Sequence, residues 1–324
     1  MKKNQLPVWP WAPMAVAACG TGGAAVLLTA RVAMMPMLRD ADTGRFATNV
    51  PAMVIVAVVL LAMALFSLCT KRERIDVPAS RALPTGLTAV LAGGLLGVSS
   101  LIDIYRYYFE KILPPPGQMQ MNTFTQLVLI GFLLFGALGA VALIRFGLLT
   151  ISEGGTRRGM SAFGALAPVM WVWFRLAWYE MSYANTVGWS EKFYDFLMVI
   201  FELLFLFKLA RFVSGVGKTT TGEMLFWSMA TALFALSGPL THVMVYFTGG
   251  AEAYQASNLA GIADFGIGVL ALAFGWALRR GCLESPVASG NEEELLEEGD
   301  NAYDSSLDSL FILEENETSE YNQP

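Results

Sequence analysis

The residues that could do chemistry are the ionisable ones embedded in long apolar runs. Two such runs, 160–183 and 191–213, lie back to back and carry Arg175, Glu180, Asp195 and Glu202. Charge is expensive in hydrocarbon, so such groups turn toward the interior of a helix bundle and pair with one another. A guanidinium among carboxylates at that depth can clamp two helices, orient an anionic solute, bind a cation or exchange protons. With a helical rise of about 1.5 Å per residue, Glu202 falls near the middle of its run and Asp195 lies about 10 Å further out. Asp195 and Glu202 are seven residues apart and share a helix face. The short link makes the two helices antiparallel neighbours, which places Arg175 within reach of either carboxylate. His242 and Asp264, in the outer halves of two later runs, complete the candidate set of ligand- or ion-binding or clamping residues. Asp103, Arg106 and Glu110 are spaced to satisfy one another along a single helix.

The elements that must position these groups follow from composition. Of 324 residues, 55% are hydrophobic and 15% charged, with a mean hydropathy of +0.52. A soluble domain carries about 25% charged residues. The apolar runs predict an all-α, polytopic membrane bundle of eight helices over 12–36, 51–70, 86–108, 123–150, 160–183, 191–213, 223–248 and 257–279. Each is long enough to cross a bilayer, the first expected partner. The bundle occupies 1–280, and 281–324 forms an acidic tail.

Basic residues set the expected orientation. Lys2, Lys3, Lys71, Arg72, Arg74, Arg81, Arg157, Arg158, Lys218, Arg279 and Arg280 collect at one set of helix ends. Only Arg39, Arg45, Arg106, Lys111 and Lys192 fall at the other. The richer side is the cytoplasmic one. An even number of spans then puts both termini in the cytoplasm and the chain in the plasma membrane. Small residues such as 20–25 (GTGGAA), 92–97 (AGGLLG) and 136–140 (GALGA) let helix backbones approach closely. Pro239 predicts a kink in the seventh span. The aromatic residues around the charged hairpin, Trp171, Trp173, Trp178, Tyr179, Tyr183 and Trp189, are expected to include interfacial anchors.

The net charge of −6 hides a division: 281–324 holds 13 acidic residues and no Lys or Arg, leaving the preceding part net +7 (21 basic against 14 acidic residues). The tail buries too little apolar surface to fold alone, which predicts disorder. Its Leu307, Leu310, Phe311 and Leu313 could form a turn that docks on a cytoplasmic partner. Nothing in the pattern points to nucleic acid, a cofactor or a metal. Cys19, Cys69 and Cys282 are scattered, and a single histidine makes multi-histidine metal sites and hydrolytic triads improbable. The 215–223 stretch GVGKTTTGE lacks the leading glycine of a phosphate loop, since position 212 is Phe.

One pair of short motifs, FYDF at 193–196 and GIADFG at 261–266, resembles the two aspartate motifs of presenilin-like intramembrane aspartyl proteases. That resemblance implies that Asp195 and Asp264 share a proton and activate water. The chain departs from it at Ala263, where the family has Gly, and in the span that separates the two motifs. The reading favoured by the residues is a small-solute or ion transporter, or a sensor, with an outward-facing polar pocket. An assembly component that recruits a partner through its acidic tail is the alternative, and the protease comes third.

Overall fold

The computed structural model describes residues 9–38, 50–70, 82–107, 122–153, 161–183, 189–214, 220–247 and 260–284. Among them stand eight helices: α1 (Ala12–Leu38), α2 (Val50–Leu68), α3 (Ala82–Tyr107), α4 (Thr123–Glu153), α5 (Ala162–Tyr183), α6 (Trp189–Val213), α7 (Thr221–Phe247) and α8 (Ala260–Glu284). The all-helical membrane fold expected from the apolar runs is what forms. Six helices are long and apolar enough to cross a membrane, namely α1, α2, α3, α4, α7 and α8. The apolar part of α5 is shorter, Ala162–Trp178. Both α5 and α6 are interrupted by the charges that make them interesting. The acidic tail from 285 onward, with its docking turn, lies outside the described residues.

Helix neighbours run in an arc: α2 beside α1, α1 beside α7, then α6, α5, α4 and α3, with α2 also touching α7. Within this arc α8 packs on α3 through Gly266 and on α7 through Gly268 and Gly275. Nearly every described side chain of α8 from Gly261 to Arg279 is at least partly buried, with Ile262 exposed. A helix apolar all round suits such an enclosed position. By contrast α2 shows Val54, Val58, Leu61 and Leu65 outward, as a stripe for lipid.

Ties between helix ends fix the alternation. The Trp9 amide donates to the Cys69 carbonyl at 3.1 Å, joining the start of α1 to the end of α2. The Ser67 hydroxyl donates to the Gly222 carbonyl at 2.7 Å, adding the start of α7 to the same end. There too Lys208 of α6 bonds Glu223 of α7. Lys208 is thus tied to a carboxylate in the first turn of the next helix.

Glycines set the closest approaches where backbone meets backbone. A Cβ on Gly147 would sit 2.5 Å from the Gly86 carbonyl oxygen and 2.8 Å from the Val90 amide nitrogen. A Cβ on Gly93 would meet the Ala140 carbonyl oxygen at 2.8 Å. In lipid this close packing is what drives association. Gly147→Val is expected to destabilise the bundle by about 1–3 kcal/mol through overpacking, read as a lower unfolding midpoint in detergent. Gly94, whose Cβ position is open, supplies the control: Gly94→Ala should hold or raise the midpoint, because Ala stabilises a helix by about 1 kcal/mol over Gly.

Candidate functional site

Arg175 is the largest of the fully buried side chains, at 1% exposure. It lies on the face of α5 that also buries Trp171, Val172 and Trp178. Its guanidinium grips Asp264 of α8 with both terminal nitrogens: Nη1 donates to Oδ1, and Nη2 donates to Oδ2 at 2.8 Å. Nη1 also donates to Glu202 Oε2 of α6 at 3.3 Å. Glu202 and Asp264 are 0% and 1% exposed. The three side chains come from three helices and meet in the protein interior, as the cost of charge in hydrocarbon requires.

The neighbouring residues explain why the geometry holds. The Arg175 guanidinium carbon lies 5.2 Å from the Trp171 ring centre. That ring stacks on Phe132 of α4. Gly136 makes room beside it, since a Cβ there would lie 3.1 Å from the indole. On α6 the carbonyl of Phe201, adjacent to Glu202, accepts from the Thr231 hydroxyl of α7 at 2.8 Å. On α8 Gly268 seats against Ala235, and Phe274 packs between Phe205 and Phe212 of α6. The register of α8, and with it the position of Asp264, is therefore fixed by small-residue and aromatic contacts.

Charge in the cluster does not balance. Two carboxyl groups face one guanidinium, and Glu202 Oε1 is buried with no hydrogen-bond partner among the described residues. The Glu202 and Asp264 carboxyl groups also lie within hydrogen-bonding reach of each other. Such a contact is attractive only when one of the two carries a proton, because an ionised carboxylate is purely an acceptor. Asp103 of α3 interacts electrostatically with both Arg175 and Asp264, accepts a hydrogen bond from Ser99, and is 8% exposed. Its expected local pairing along α3 is thus only part of its surroundings: Arg106 acts on it, but so does the cluster.

The six residues singled out from the sequence are distributed unequally. Arg175, Glu202 and Asp264 come together. Glu180 is exposed, because five residues beyond Arg175 the helix has turned to another face. Asp195 is only partly buried, and the carboxyl group that meets Asp264 is that of Glu202. The side chain of His242 lies outside the described residues. Trp171 and Trp178, grouped by sequence with the interfacial anchors, are interior at 2% and 9% exposure, whereas Trp173 is exposed.

The sequence reading passed over Arg31. It extends the buried face of α1 that includes Val16, Ala17, Ala24 and Leu27, and is 5% exposed. Its guanidinium carbon lies 4.8 Å from the centre of the Tyr194 ring on α6. Such a contact contributes about 0.5–2 kcal/mol, against a desolvation cost of several kcal/mol per ion. The signal was present: an arginine inside an apolar run, one helical turn from Leu27 on the same face.

Among the described residues no group of three or more His, Cys, Asp or Glu is placed to hold a metal ion. No family model, curated protein or solved structure matches the chain.

Removing one partner of a buried ion pair strands the other. Asp264→Leu and Arg175→Met are each expected to lower stability by about 3–5 kcal/mol. The double variant should lose less than the sum, with a coupling of about 0.5–3 kcal/mol. A double-mutant cycle on unfolding midpoints in detergent measures it, and additive losses would show that the contact carries no coupling.

Proposed function

We propose that this polytopic membrane protein is a small-solute or ion transporter, or a sensor, that works through the Arg175–Glu202–Asp264 cluster. The observation that supports the reading is the surplus carboxylate: two buried acids share one buried guanidinium, and Glu202 Oε1 has no partner among the described residues. A purely structural clamp needs one acid per arginine. The second acid gives the cluster two states close in geometry. In one, a proton or small cation occupies the carboxyl pair. In the other, the pair competes for Arg175. Ionisable groups inside membrane helices commonly mark ion pathways and proton relays for this reason. Asp103 of α3 is coupled electrostatically to Arg175 and Asp264 and adds a further acid beside the cluster.

The bidentate contact between Arg175 and Asp264 favours a second reading, an interhelical clamp. The two readings part at Glu202. In proteoliposomes carrying a pH-sensitive dye, Glu202→Gln should abolish flux driven by a pH gradient while leaving the amount of folded protein unchanged. Equal loss of abundance and flux would favour the clamp.

We also propose that the chain lies in the plasma membrane with both termini in the cytoplasm. The support is the concentration of Lys and Arg at one set of helix ends, together with antiparallel succession of the helices. Reporters fused after residue 284 and before residue 9 should both give the cytoplasmic signal. A reporter inserted between 248 and 259 should give the opposite one, and any other pattern rejects this orientation.

A further inference from the structure

Arg31 lies on helices other than those that carry the acidic cluster's arginine and aspartate, in the contact between α1 and α6. Two observations set it apart. Its guanidinium is 5% exposed and rests on the Tyr194 ring, yet no ion pair to a carboxylate is formed with it among the described residues. Its buried Nη2 has no hydrogen-bond partner among the described residues. The ring meets the guanidinium carbon at 4.8 Å and supplies no hydrogen-bond acceptor to Nη2, whose N–H groups point out along the edge of the planar cation. The ring contact offsets only part of the cost of burying that charge, so the arrangement favours an anion at the edge.

We propose that Arg31, with the Tyr194 ring as its floor, forms a binding site for a monovalent oxyanion group. Two parallel N–H donors match the paired oxygens of a carboxylate or of a phosphodiester, and this fork-to-fork match is what distinguishes arginine from a point charge. Charge sets the valence: one guanidinium neutralises one negative charge, whereas a dianion would leave a buried surplus. Depth narrows the access. Arg31 lies seven residues before the end of α1 at Leu38, about 10 Å along the helix axis at the ordinary rise. The group reaches it either as a small carboxylic acid anion from the aqueous side or as a lipid phosphodiester threaded between helices. The site stands on Arg31 and is separate from the role given to Glu202.

The test uses the purified full chain in neutral detergent and follows its unfolding midpoint. Sodium acetate is titrated against sodium chloride at matched ionic strength, and in parallel phosphatidylglycerol is added against phosphatidylcholine. The expected result is a saturable rise with acetate or with phosphatidylglycerol that is kept in Glu202→Gln and lost in Arg31→Met. A response to acetate identifies the small anion as the source, and a response to phosphatidylglycerol alone identifies the lipid. Without added anion, Arg31→Met should unfold at or above the wild-type midpoint, since it removes a buried charge with no bonded carboxylate among the described residues. Should that variant not fold, Arg31→Lys carries the comparison, keeping the charge but losing the fork, and a several-fold weaker response is expected. No response of the wild type to either anion source overturns the proposal. So does a response that survives unchanged in the arginine variants.

Discussion

The cost of holding charge away from water governs this molecule. Arg175 is fully enclosed by protein, and the cost of enclosing its guanidinium is offset by the carboxylates that meet it. Those carboxylates come from α6 and α8, so the contact ties the α5–α6 pair to a helix some sixty residues further along the chain. The bidentate grip on Asp264 requires α8 to stand at one height beside α5. The second contact, to Glu202, fixes the rotation of α6 as well.

Everything that packs around the cluster serves that requirement. Gly266 and Gly268 bring α8 close to α3 and α7, and Gly136 leaves room for the ring beneath the guanidinium. The Thr231 hydroxyl bonds the carbonyl next to Glu202 rather than the carboxylate itself, so it holds the backbone and leaves the acid its freedom. Pro239 faces Gly261 near the start of α8. Proline interrupts the hydrogen-bond ladder of a helix, and the interruption lies close in level to Asp264.

An arginine shared by two acids behaves differently from a simple pair. Either carboxylate can be neutralised while the other keeps the guanidinium satisfied, so the cluster tolerates a change of proton or cation occupancy without stranding its positive charge. The neighbouring Asp103 adds a third acid on a fourth helix, and it couples α3 to the same electrostatic balance.

Much of the architecture was legible in the chain. Apolar runs gave eight helices with ends within a few residues of those observed, because a bilayer demands long, uninterrupted helices whatever their partners. The value of Arg175, Glu202 and Asp264 was legible for the same reason, since a charge in such a run must find company. Which company was not. Periodicity placed Asp195 and Glu202 on one face, but it could not say that α8, rather than the outer turns of α6, would supply the second carboxylate. That was decided by the small-residue contacts of α8. Glu180, Trp171, Trp178 and Arg31 carry the same lesson. The side of a helix that faces protein or lipid depends on where its neighbours stand, and residue type and spacing along one helix do not contain that information.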